Sequence, residues 1–164
     1  MNHVYFLARQ SQRGMHCYRS YHCLDLIAES KSYIRPRFYP VNISVGPLEL
    51  DGTVDIDRTI FPGMETVIHC SDGREPARVI YLGDRRHRLV WGSAELEVRY
   101  RNLSWKFFLN GKHLASMIPV NSTDLTSLLS EESWTPRYTM MSRVELPKTL
   151  AALMLHFPLL QPGL

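Results

Sequence analysis

The stretch that most limits what this chain can become lies near its end: Pro147, Lys148, Thr149, Leu150, Ala151, Ala152, Leu153, Met154, Leu155, His156, Phe157. Ala, Leu and Met are strong helix formers and proline is tolerated at the first helical position, so the stretch predicts a short helix starting at Pro147 and ended by Pro158. A helix lying on a sheet carries a polar back. Between Leu150 and Leu155 no polar residue occurs on any side, so this helix requires burial all round. At about 16 Å it is roughly half of what a bilayer demands, which makes a protein interior its expected surrounding.

The remaining chain reads as the wrapper. His3 to Arg9 and Met15 to Tyr21 predict an opening hairpin. Leu24 to Glu29 fits neither the helical nor the strand period and is left unassigned. Val41 to Val45 alternates among prolines 36, 40 and 47 and is expected at a sheet edge, and Val54 to Arg58 predicts another short strand. From Glu65 to Ile118 the pattern is clear. Asp72-Gly73 marks a hairpin, Ala77, Val79 and Tyr81 return from it, Gly83-Asp84 turns the chain again, and Arg88 to Trp91 forms the next strand. Glu95 to Arg101 then alternates strictly, with Leu96, Val98 and Tyr100 facing a core and Glu95, Glu97, Arg99 and Arg101 facing water. Trp105, Phe107 and Leu109 are expected inward, and a two-residue Asn110-Gly111 turn sets Phe107 opposite Leu114 and Leu103 opposite Ile118. Asn121 to Glu132 predicts a surface helix, and Tyr138 to Val144 a last strand. The expected class is therefore mainly β, an antiparallel meander closed into a barrel around the C-terminal helix, as one domain over residues 1–164.

An internal repeat supports the meander. Asp72-Gly73-Arg74, Ala77 and Val79-Ile80 overlay Asn110-Gly111-Lys112, Ala115 and Met117-Ile118 without gaps. Hairpins of this form, an aromatic strand before the second turn and a short apolar closing helix resemble the tubby-like superfamily, which includes the LURP-one-related proteins and the phospholipid scramblases. The likeness runs over Glu65 to Leu160. It implies a β-barrel of about twelve strands around one helix, and a non-catalytic module that recognises anionic lipid headgroups or a membrane surface. A protein-protein interaction module is the alternative, and an enzyme comes third. No stretch matches the tubby phosphoinositide site, so no ligand residue transfers from it.

The residues themselves supply one candidate site. Arg85-Arg86-His87-Arg88, reinforced by Arg74 and Lys112, is the densest basic cluster, and at a hairpin tip it would hold phosphate or an anionic bilayer surface. The net charge of +3 and the lack of interleaved aromatics argue against nucleic acid. No catalytic motif and no cofactor fingerprint is present. The pairs His16-Cys17, His22-Cys23 and His69-Cys70 point to opposite faces of a strand, and Asp51, Asp55 and Asp57 lack the loop of a calcium site, so no metal is expected. His156 reads as a buried or helix-end histidine. Three cysteines cannot all pair within one chain, which favours a reducing cytoplasm. No apolar run approaches about 20 residues, so any membrane contact is expected to be peripheral.

Overall fold

The computed structural model describes residues 3–11, 14–20, 24–31, 38–55, 60–120 and 135–161. The surface helix expected at Asn121 to Glu132 lies outside them. Twelve strands wind in sequence order: β1 (Val4–Ser11), β2 (Gly14–Tyr18), β3 (Leu26–Lys31), β4 (Phe38–Val45), β5 (Leu48–Asp55), β6 (Glu65–Cys70), β7 (Ala77–Gly83), β8 (Arg86–Trp91), β9 (Ala94–Arg101), β10 (Ser104–Leu109), β11 (Lys112–Pro119) and β12 (Thr135–Ser142). Each pairs antiparallel with its neighbours, and β12 returns to β1, from Val4 opposite Ser142 to Gln10 opposite Thr135. The barrel is closed.

Inside runs helix α1 (Lys148–Leu155), followed by the single turn α2 (Phe157–Leu160). Leu150, Ala151, Ala152, Leu153, Met154, Leu155, His156 and Phe157 are all buried, which is the all-round enclosure that their apolarity requires. Every strand from β1 to β12 contributes an interior residue to the same core, Phe6, Ile43, Leu50, Ile68, Val79, Leu89, Leu96, Phe107, Met117 and Met140 among them. Two details differ from expectation. Pro147 is the N-cap, one position before the helix, and its carbonyl accepts from the Ala151 N–H at 2.9 Å. Pro158 does not stop the chain's helical path: α1 has already ended at His156, and Pro158 sits in the first turn of α2, where a missing N–H costs nothing.

The strands also correct several expectations. The stretch left unassigned is β3, and a bulge opposite Cys17 and Tyr18 buries both Ile27 and Ala28, so neither period survives in the sequence. Val41 to Val45 belongs to β4, which has no free edge because the barrel closes. It pairs β3 only at Glu29–Ser44 and Ser30–Ile43, leaving Pro40 beyond the ladder on that side. β5 starts at Leu48, earlier than the expected Val54, and residues 56–59 lie outside the description. The Asp72-Gly73 connection is longer than a two-residue turn, since β6 ends at Cys70 and β7 begins at Ala77. At Asn110-Gly111 the turn is tight, but a bulge after Phe107 places that residue opposite Ala115, and Leu103 sits in a turn and not in the ladder. Leu114 and Ala115 are consequently both buried. Close packing also fixes Gly14: a Cβ there would sit 1.8 Å from the Ser30 carbonyl oxygen.

Candidate functional site

An antiparallel barrel has two rims, and alternate connections fall on alternate rims. The connections between β5 and β6, β7 and β8, and β9 and β10 share the rim toward which α1 points its C-terminus. The β6–β7, β8–β9 and β10–β11 connections share the other. The expected basic cluster therefore divides. Arg85 is in the β7–β8 turn and Arg86 opens β8 on the first rim, whereas Arg74 is in the β6–β7 connection and Lys112 opens β11 on the second, separated by the length of β7, about 23 Å. Arg88 is not at a tip: it lies two residues into β8, opposite Glu97, with its Nε 3.0 Å from Glu95 Oε1. Arg74 is engaged as well, with Nε 2.6 Å from Asp72 Oδ2 and its guanidinium over the Trp91 ring.

In exchange, the register brings up cations that a linear reading separates. Arg86 pairs Arg99 on β9, and Arg99 pairs Lys106 on β10, so three positive side chains form one row across the outer face. Like charges directly opposite repel. Glu97 offsets this from beneath, with Oε1 3.1 Å from Arg99 and 3.8 Å from Arg86, and the hydrogen bond from Arg99 holds its carboxyl below the usual range. The Arg99 guanidinium also lies 4.5 Å from the Phe108 ring centroid. Next to the row, Asp84, Arg85, Arg86, Arg99, Tyr100 and Arg101 surround a notch of about 250 Å³. The Tyr100 N–H donates to the Arg85 carbonyl at 3.2 Å, which ties the β7–β8 turn to β9. Arg85 and Arg101 have no carboxylate partner among the described residues.

Large apolar side chains stand on the same rim. Leu103 is 69% exposed and Phe61 52%. Leu103 follows Asn102 in the β9–β10 turn, and both have positive φ, 51° and 59°. Asn tolerates that region, while a leucine there is strained. Phe61 belongs to the segment that folds against β7, with the Gly63 N–H donating to the Tyr81 carbonyl at 2.8 Å and the Tyr81 N–H to the Met64 carbonyl at 2.8 Å. Nothing in the sequence signalled this grouping of Arg99, Arg101, Lys106, Leu103 and Phe61 with Arg85 and Arg86. Only the register creates it.

Below the rim, inward-facing Tyr81, His87, Tyr100 and Trp105 join Ile60, Arg85 and Gln161 around a pocket of about 460 Å³. Its rings are mutually packed: Tyr100 on Trp105 at 4.8 Å, Tyr81 on His87 at 5.1 Å, and His87 edge-on to Phe157 of α2 at 5.3 Å. Burial pushes the His87 pKa down to about 4, so its imidazole is neutral near pH 7. Trp105 is 9% exposed, and its Nε1 is the buried side-chain donor left without an acceptor among the described residues.

Deeper, His156 Nδ1 is 2.7 Å from the Ala152 carbonyl and Nε2 is 2.8 Å from Ser30 Oγ. A carbonyl only accepts, so Nδ1 carries the proton and Nε2 accepts from the Ser30 hydroxyl. Cys17 Sγ lies 3.9 Å from the same Nδ1. Burial raises the Cys17 thiol well above its ordinary value and lowers His156 to about 4. The pair is thus thiol and neutral imidazole, sealed in the core, which is the reverse of an activated nucleophile. Among the described residues no group of three His, Cys, Asp or Glu side chains is placed to hold a metal, and no helix is long and apolar enough to cross a membrane. A depression of about 840 Å³ is an open polar groove on the outer face of β4, β5 and β6, lined by Asn42, Glu49, Asp51 and His69. Asn42 and Asp51 already bond each other across it at 2.5 Å, as do Ser44 and Glu49 at 2.8 Å.

No family model, curated protein or solved structure matches this chain.

Proposed function

We propose that this barrel is a non-catalytic binding module of the tubby-like kind that docks its basic rim on an anionic phospholipid surface. The reading rests on one observation: a single rim brings together Arg85, Arg86, Arg99 and Arg101, two of them without a carboxylate partner among the described residues, with the exposed apolar tips Leu103 and Phe61. Arginines recruit the anionic lipids of a cytoplasmic leaflet, each adding about 1 kcal/mol, and apolar tips gain by entering the headgroup layer. The two-residue turn between Arg101 and Ser104 needs positive φ at both positions, but nothing in the core rewards a leucine rather than a glycine or asparagine there. The contact is peripheral and sits on the cell's interior side.

Flotation with vesicles tests this. The protein is expected to rise with phosphatidylcholine vesicles containing phosphatidylserine, to stay behind with phosphatidylcholine alone, and to be released by added salt. The Arg86→Ala/Arg99→Ala/Arg101→Ala variant is expected to stay behind in every case. Equal recovery with both vesicle types, or full recovery of the variant, overturns the proposal.

A further inference from the structure

The pocket inside the basic rim has features that docking on a surface does not use. Its volume of about 460 Å³ lies in the range of small-molecule sites. Its walls are rings, Tyr81, His87, Tyr100 and Trp105, which favour a flat unsaturated body over a flexible chain. One cation reaches it: Arg85 lines both this pocket and the outer notch and has no carboxylate partner among the described residues. His87, beside it, is flanked by Tyr81 and Phe157 rather than by charge. A buried donor completes the set, the indole N–H of Trp105, which has no acceptor among the described residues.

Unpartnered buried donors are rare and mark a place where a partner is missing. The Trp105 nitrogen has no contact with solvent, so the indole must tilt toward the pocket to meet an acceptor. Such a tilt gives up part of the ring packing on Tyr100 at 4.8 Å and Tyr138 at 5.6 Å, which a hydrogen bond to a charged acceptor offsets. We propose that the pocket binds a small aromatic carboxylate: the ring lies between Tyr81, His87 and Tyr100, the carboxylate meets the Arg85 guanidinium, and the Trp105 N–H donates to one of its oxygens. Arg85 stands where the ligand's charge remains at the mouth while its ring enters the barrel. Arg85 borders both sites, whereas Arg86, Arg99, Arg101 and the apolar tips belong to the docking surface alone, so removing those three arginines leaves the pocket intact.

The Trp105 indole resonance in a proton-nitrogen spectrum, assigned by its disappearance in Trp105→Phe, reports directly. Titration with naphthoate is expected to move it saturably, whereas octanoate and inorganic phosphate leave it in place. Arg85→Asn keeps a residue that tolerates the positive φ of 58° and removes the charge, so the fold persists. It is expected to weaken naphthoate binding by about tenfold or more. The Arg86→Ala/Arg99→Ala/Arg101→Ala variant, defective with vesicles, is expected to bind naphthoate within about twofold of the parent. An indole signal that naphthoate does not move, an unchanged affinity in Arg85→Asn, or an equal response to octanoate or phosphate overturns the proposal.

Discussion

The two rims of the barrel are built from the same materials and hold them differently. On the rim near the helix N-terminus, Arg74 is bonded to Asp72 and stacked on Trp91, and Arg19 chelates Glu145, with Nε 2.6 Å from Oε1. On the opposite rim four arginines crowd one notch around Asp84, with Glu97 beneath the row that Arg86 and Arg99 share, and Leu103 stands out of a strained turn beside them. Exposed ion pairs contribute little to stability, about 0–1 kcal/mol each. Pairing at one rim therefore does more to quiet a surface than to hold the fold. At the other, Glu97 is shared by Arg86 and Arg99 and neither Arg85 nor Arg101 has a carboxylate partner among the described residues, so a positive field is left over. On the proposed reading, that leftover field is the end that docks.

The largest expected effect concerns acid. His156 and His87 titrate near pH 4 in the fold and near 6.5 when unfolded, so between those values the unfolded chain binds more protons. Stability is complete above pH 6.5, falls as pH drops toward 4, and these two groups take no more from it below. The loss is on the order of 3 kcal/mol from His156, and less from His87, which borders the pocket. Urea midpoints between pH 7 and pH 4 measure it, and His87→Phe should make the slope shallower. A flat profile would mean that His156 and His87 are not held neutral by burial.

Next comes the charge contrast itself. Removing Arg86, Arg99 and Arg101 is expected to weaken binding to acidic vesicles by about 100-fold, at about 1 kcal/mol per arginine, while Arg74→Ala with Lys112→Ala changes it by less than about twofold. Comparable losses in the triple and the double variant would erase the distinction between the rims. A smaller effect has opposite signs in two assays: Leu103→Asn should stabilise the fold by about 1 kcal/mol, because asparagine accepts the left-handed conformation, yet weaken vesicle binding several-fold. The smallest is Arg88→Ala, whose exposed pair with Glu95 predicts a stability change below about 0.5 kcal/mol and no effect on vesicles.

Much of the fold was legible because its signals are local. Strict alternation from Glu95 to Arg101 fixed which side of β9 is wet, and six consecutive apolar residues fixed that α1 is enclosed. Bulges hid the rest: the extra residue at Ile27 scrambled the period of β3, and the one at Leu114 shifted the partner of Phe107 by one. The candidate site was legible only in part. Arg85 and Arg86 stand out as neighbours in the chain, but Arg99, Arg101 and Lys106 join them through cross-strand register, which no spacing along the sequence encodes. Arg74 and Lys112 group with the cluster as neighbouring cations in the sequence, and the alternation of connections between the two rims puts both on the far one.

Closure between Val4 and Ser142 also dictates an order of events during synthesis. A ribosome releases β1 long before its second neighbour exists, and the greasy rod that must occupy the centre emerges after all twelve staves. Until then the wall has nothing to close upon, so the nascent chain carries an unfilled sheet whose seam is open on both sides. Contacts of such long sequence separation form slowly and expose sticky intermediates. The demand for chaperone protection should therefore peak just before Leu150 to Leu155 leave the exit tunnel.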